Sequence, residues 1–169
     1  MSAHAPSDKR YAVLFVCTGN ICRSPTAHGV FLQQLEQAGL SLQVEVDSAG
    51  THGYHRGEPP DERSMAHAAQ RGYDLSTLRA RRVELVDFER YDLILAMDSG
   101  HLELLSERCP SAHVHKLQRF TAWCQRHDGL DVPDPYYGGA AGFEAVLDLI
   151  EDGCTGLLAH VRKQCAPAA

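Results

Sequence analysis

No run of apolar residues in this chain approaches the length of a bilayer crossing, so no transmembrane helix is expected. The first ten residues, Met1 to Arg10, hold no apolar core of the kind a secretory leader needs. Positive charge is not in surplus either. Lys plus Arg total 16 against 22 for Asp plus Glu, a formal net charge of −6, which offers no footprint for nucleic acid or an anionic membrane. The six cysteines, at 17, 22, 109, 124, 154 and 165, fall short of disulfide-scaffold density and contain no Cys-x-x-Cys pair. They read as reduced thiols in a cytoplasmic protein. The His52/His55 and His113/His115 pairs have no carboxylate or thiol beside them to complete a coordination sphere, so no metal and no cofactor is expected. There is no internal repeat. At 169 residues the chain has room for one sizeable core, which predicts a single domain over 10–165 between polar tails at 1–9 and 166–169. Oligomeric state is left open.

What is present is an alternation of strand and helix patterns. Tyr11 to Val16 is continuously apolar, and Tyr91 to Met97 is so apart from Asp92, as suits strands covered on both faces. Leu42 to Val46 and Ala112 to His115 alternate, as suits edges. Between them, Ser24 as cap and Pro25 at the first position open a helix that Gly39 stops. Further helices are predicted from near Pro60 to Gly72 and from about Ser99 to Arg108. A long last one carries Phe143, Val146, Leu147, Ile150, Cys154, Leu157, Leu158 and Val161 as a buried stripe. This βαβ series predicts an α/β three-layer sandwich with a four-stranded parallel sheet in the order 2-1-3-4. Ligands bind beyond the carboxyl ends of such strands, which should bring Cys17, Ser48, Asp98 and Asp134 to one edge.

The most informative stretch is Cys17-Thr18-Gly19-Asn20-Ile21-Cys22-Arg23-Ser24-Pro25, between the first strand and the first helix. A helix N-terminus has backbone N–H groups without intrahelical partners and a dipole that favours negative charge, so the loop is an anion cradle. Cys17 adds a nucleophile and Arg23 a planar fork that matches phosphoryl oxygens. Cys-x5-Arg-Ser therefore points to phosphoryl transfer.

The chain resembles the low-molecular-weight protein tyrosine phosphatases from Tyr11 to about Lys163. The matching pieces are residues 16–25, Asp47-Ser48-Ala49-Gly50-Thr51, Pro59-Pro60-Asp61, Met97-Asp98 and Asp134-Pro135-Tyr136-Tyr137-Gly138. The resemblance implies hydrolysis of phosphotyrosine in a protein substrate through a cysteinyl-phosphate, with neither nucleic acid nor membrane as partner. Cys17 is then the nucleophile, among loop amides at Thr18, Gly19, Asn20, Ile21 and Cys22 and beside Arg23, which clamps the phosphoryl oxygens. Ser24 can donate its hydroxyl to the sulfur. Gly19 lets the loop turn close to phosphate, and Asn20 tolerates left-handed backbone geometry with Ser48 as its expected support. Asp134, between Pro133 and Pro135, is the expected general acid and then base. Tyr54, Tyr136 and Tyr137 resemble the aromatic walls of a phosphotyrosine cleft.

Cys22 is read either as packing or as a partner for Cys17 in a reversible protective disulfide. Asp98 reads as a helix cap. One departure stands out: many relatives carry a bracing His before an Ala-Arg pair, whereas this chain has Leu78 ahead of Ala80-Arg81. Two alternatives share the fold. A thioredoxin-coupled arsenate reductase needs two more cysteines near strand three, and Ser76 to Glu107 has none. A protein-arginine phosphatase typically has Thr where Ile21 stands, and the apolar Ile21 favours a phenyl ring.

Overall fold

In the computed structural model, which describes residues 10–127, 131–136 and 138–165, strand β1 (Tyr11–Cys17) lies inside a sheet, buried from Ala12 onward. It pairs in parallel with β2 (Val44–Gly50) on one side and β3 (Leu93–Ala96) on the other, and β4 (Leu117–Arg119) pairs with β3. The order is the expected β2-β1-β3-β4.

Because side chains alternate across a strand, β1 feeds two cores. Val13, Phe15 and Cys17 pack with α1 (Arg23–Gln37), α2 (Glu62–Gln70) and α5 (Ala140–Cys165). Ala12, Leu14 and Val16 pack on the other face with Phe88 of α3 (Leu85–Arg90) and Leu105 of α4 (Ser99–Arg108). Helices on both faces make the three layers. The apolar stripe expected of the last helix is buried at Phe143, Val146, Leu147, Ile150, Cys154, Leu157 and Val161.

Several boundaries differ from expectation for local reasons. Ala112 to His115 is not a strand. It belongs to a 3₁₀ turn, Ser111–Lys116, begun by Pro110, whose carbonyl accepts the His113 N–H at 2.9 Å; the edge strand follows at Leu117. Four alternating residues after a proline fit a turn as well as a strand. β2 starts two residues later than expected and runs to Gly50, in register with β1 through Cys17, while Leu42 is left 88% exposed. Ser24 is not a cap: α1 begins at Arg23 with Cys22 at the N-cap position, so Ser24 lies in the first turn with its hydroxyl turned to Cys17. Pro25 still costs no hydrogen bond there, since first-turn N–H groups have no intrahelical acceptor. The short helix α3 had no periodic signal. It is opened by a reciprocal capping box between Glu84 and Asp87.

His28 on α1 is buried against β2, its Nδ1 3.0 Å from Ser48 Oγ. Burial, reinforced by Arg81 and opposed by Asp47, pushes its pKa down from 6.5 to about 4. Between those values the unfolded chain binds the proton and the native state does not, so stability rises with pH across that window and falls on acidification. The full shift corresponds to about 3 kcal/mol. In urea unfolding followed from pH 7 to pH 4, the wild-type protein should lose stability steadily below pH 6.5. His28→Gln, which keeps a partner for Ser48 and removes the titration, should flatten that loss, and an unchanged slope would mean His28 is not held neutral.

Candidate active site

The loop from Thr18 to Cys22 is held by its carbonyls. The Thr51 and His52 N–H groups, just beyond β2, donate to Cys17 and Thr18 at 2.8 and 3.0 Å, and the Asp61 N–H donates to Ile21 at 2.8 Å. In a trans peptide C=O and N–H point in opposite directions. Tying these three carbonyls to neighbours therefore turns the N–H groups of Thr18, Gly19 and Cys22 away from those supports, free for an anion. A Cβ on Gly50 would fall 2.6 Å from the Thr18 carbonyl oxygen, so only glycine allows this approach of loop and strand.

The left-handed position is Asn20, at φ 58°, as expected. Its support differs from expectation. Asn20 Oδ1 accepts from the Arg81 N–H at 3.1 Å, and Nδ2 donates to Ser24 Oγ at 2.7 Å. Ser48 faces His28 instead, because its strand position turns it under α1. The Arg81 backbone amide thus braces the loop from the segment that holds Leu78, and Leu78 itself packs against the core. With Asn20 donating into Ser24 Oγ, the single Ser24 hydrogen has two acceptors: Cys17 Sγ at 3.0 Å and the Ala49 carbonyl at 3.4 Å. The sulfur is nearer.

Arg23 is 4% exposed. Its Nη1 donates to Asp98 Oδ2 at 2.9 Å and to the Val132 carbonyl at 3.0 Å, while Nη2 is 3.6 Å from Asp134 Oδ2. Asp98 is the cap it was read as, its Oδ1 accepting the His101 N–H at 2.8 Å, and it is also the ionic partner of Arg23. Burial alone would raise the Asp98 pKa, but the His101 N–H and the Arg23 guanidinium hold it below the ordinary carboxylate value.

Cys17, Ile21, Cys22, Arg23, Asp134 and Tyr136 line one cleft of about 270 Å³, with Tyr54 and His55 at its rim. Of the four residues expected at one edge, Cys17, Asp98 and Asp134 meet there and Ser48 does not. Cys22 is buried, and burial, with smaller contributions from Asp61, Cys17 and Asp134 and against a hydrogen bond to Ser64, pushes its thiol up to about 12. The Asp134 loop is tied down at both ends: the Val132 N–H donates to Met97 at 2.8 Å, and Arg63 Nη2 donates to the Tyr136 carbonyl at 2.9 Å. Tyr54 is 74% exposed and stacks on His52 at a centroid distance of 5.0 Å. Tyr137 lies outside the described residues.

Three residues of this neighbourhood went unread in the sequence: Arg63, Arg81 and His101. His101 Nε2 is 2.7 Å from Thr18 Oγ1. Its one trace in the sequence is the Asp98-x-x-His101 spacing, which places it a turn beyond the cap. Among the described residues no group of three His, Cys, Asp or Glu side chains is placed to hold a metal ion, and no helix is long and apolar enough to cross a membrane.

A thiol, a guanidinium and a carboxyl thus line one cleft beside a helix N-terminus. The family model described as low molecular weight phosphotyrosine protein phosphatase matches residues 12–166. A low molecular weight protein-tyrosine-phosphatase of Streptomyces coelicolor is 49% identical over 158 residues, covering 91% of this chain and 95% of that protein. The crystal structure of YfkJ from Bacillus subtilis superposes with a TM-score of 0.88 at 35% identity, covering 95% of this chain and all of that one. A protein tyrosine phosphatase from Entamoeba histolytica, crystallised with Hepes in its active site, gives 0.88 at 38% identity over 91% of this chain and 98% of its own. With the Cys17 loop at the end of the first strand of that shared fold, the chain belongs to the low-molecular-weight phosphotyrosine protein phosphatase family.

Proposed function

We propose that the chain hydrolyses phosphotyrosine in protein substrates with Cys17 as nucleophile, Arg23 as phosphoryl clamp and Asp134 as general acid and base. The observation that carries this reading is the single cleft that holds the Cys17 sulfur, the Arg23 guanidinium and the Asp134 carboxyl together. In the first step the Cys17 thiolate attacks phosphorus as the bond to the tyrosyl oxygen breaks, and Asp134 gives that oxygen its proton. In the second, Asp134 takes a proton from water, the hydroxide oxygen bonds to phosphorus, and the S–P bond breaks to restore the thiolate. A thiolate has no proton to give, so the Ser24 hydroxyl is the donor in their 3.0 Å contact, and it stabilises the sulfur as it leaves. Arg23 and the loop amides face the charge that spreads over the equatorial oxygens.

Ile21 and Tyr136 in the cleft lining favour an aromatic leaving group over a guanidinium or a short hydroxyl side chain. Hydrolysis rates on phosphotyrosine, phosphoserine, phosphothreonine and phosphoarginine peptides test this choice. Phosphotyrosine should be preferred, and arsenate reduction run in parallel should be absent.

Cys17→Ser should abolish turnover while inorganic phosphate still binds, because the amides and Arg23 remain; substantial residual activity would rule out a covalent intermediate. Removing a general acid costs on the order of 10²–10⁴ in rate, and most where the leaving group needs the proton. Asp134→Asn should therefore cripple phosphotyrosine hydrolysis far more than that of para-nitrophenyl phosphate. Equal losses would move the role to another carboxyl.

The two cysteines of the loop support a reversible disulfide between Cys17 and Cys22 under oxidation. The high thiol pKa of Cys22, about 12, makes the closing step slow. Mild peroxide should inactivate the wild-type protein and a dithiol restore it, whereas Cys22→Ser should recover poorly. Equal recovery would leave Cys22 as packing alone.

A further inference from the structure

His101 has no part in the steps above, yet it is 4% exposed and packed against the loop that performs them. It stands in the first turn of α4, three residues after Asp98. Its Nε2 lies 2.7 Å from Thr18 Oγ1 and 3.5 Å from Arg23 Nη2. Its Nδ1 is 3.2 Å from Asp98 Oδ1 without the alignment of a hydrogen bond, so it is a buried polar atom left unpartnered.

The tautomer follows from these partners. A guanidinium carries donors only, so the nitrogen that faces Arg23 presents its lone pair and the ring proton sits on Nδ1. The Thr18 hydroxyl then donates to the same lone-pair nitrogen. The charged groups around the ring are Arg23 from α1, Asp98 ahead of α4, and Asp131 and Asp134 from the segment before α5. Burial and Arg23 outweigh the three carboxylates and lower the imidazole pKa to about 4, which keeps the lone pair in place at neutral pH. An unsatisfied buried N–H is destabilising, and proteins keep such groups where they serve another purpose.

That purpose is legible in how Arg23 is held. Asp98 and the Val132 carbonyl both take Nη1, so neither of these bonds holds Nη2, the nitrogen on the other arm of the fork. Asp134 is 3.6 Å from Nη2 but turns to the leaving group in the first step, so it is no permanent second point. We infer that His101 is a positioning residue whose Nε2 lone pair gives Arg23 its second fixed point and anchors the Thr18 side chain, presetting the clamp before the phosphoryl group arrives. The inference rests on the reading of Arg23 as that clamp.

The test compares wild type with His101→Leu and His101→Gln as full chains. Leucine keeps the volume and removes the acceptor, while glutamine returns an acceptor oxygen. Misplacing a reacting group slightly costs on the order of 10²-fold, so kcat in His101→Leu should fall roughly 10- to 100-fold. It should fall by the same factor on a phosphotyrosine peptide and on para-nitrophenyl phosphate, because the clamp and not the proton is disturbed. The melting temperature of each variant is measured alongside, so that a loss of kcat is read on folded protein. Glutamine should recover most of the loss. Inorganic phosphate affinity, measured by calorimetry and independent of turnover, should weaken with leucine and return with glutamine. Wild-type kcat and phosphate affinity in His101→Leu, or equal defects with leucine and glutamine, would overturn the inference. An inactive wild-type protein on phosphotyrosine would instead overturn the functional reading, with the phosphate arm still deciding the role of His101. Should the leucine variant fail to fold, His101→Ala carries the same comparison.

Discussion

The site depends on one buried positive charge. A guanidinium as enclosed as that of Arg23 would be strongly destabilising if left unpaired. Its partners come from separate parts of the chain: Asp98 at the end of β3, and the Val132 carbonyl and Asp134 from the stretch before α5. Pairing one cation thus draws three segments to the carboxyl edge of the sheet. The low dielectric that makes the charge expensive to bury also strengthens its pull on an incoming anion.

On the proposed reading of Arg23 as clamp, the sulfur and the amides must face the same volume, and β1 sets where they start. β1 is buried on both faces and paired on both sides, and the loop at its end inherits that fixed origin. The loop then contains a deliberate conflict. Asn20 sits in left-handed geometry, a strain of about 1–3 kcal/mol for a residue with a Cβ. Both ends of its amide are matched, Oδ1 by the Arg81 N–H and Nδ2 by Ser24, so the strain is offset by bonds that also orient the Ser24 hydroxyl toward Cys17.

Most of this was legible because it is local. The Cys17 to Ser24 spacing carries its chemistry in consecutive residues, and the continuous apolar runs of β1 and β3 announce central parallel strands. What escaped is tertiary or very short. The Ala112–His115 alternation resembled a strand, but Pro110 imposed a turn. Ser48 looked like a loop support, yet which face of β2 it occupies is decided by register, and register turned it to His28. His101 and Arg81 act across dozens of residues, His101 through a ring nitrogen and Arg81 through a backbone amide; the Asp98-x-x-His101 spacing says only that His101 lies a turn beyond a cap, and a backbone amide leaves no pattern at all.

The loop's outer supports come from Thr51, His52 and Asp61, and all three act through their main-chain N–H groups. Any residue except proline supplies that bond. The side chains of Tyr54 and His55 on the same stretch line the cleft, and Glu58 is bonded to His55. Shape and selectivity are therefore written in different atoms of one segment. Side chains on this stretch can be exchanged without breaking the main-chain bonds that hold the cradle beneath them.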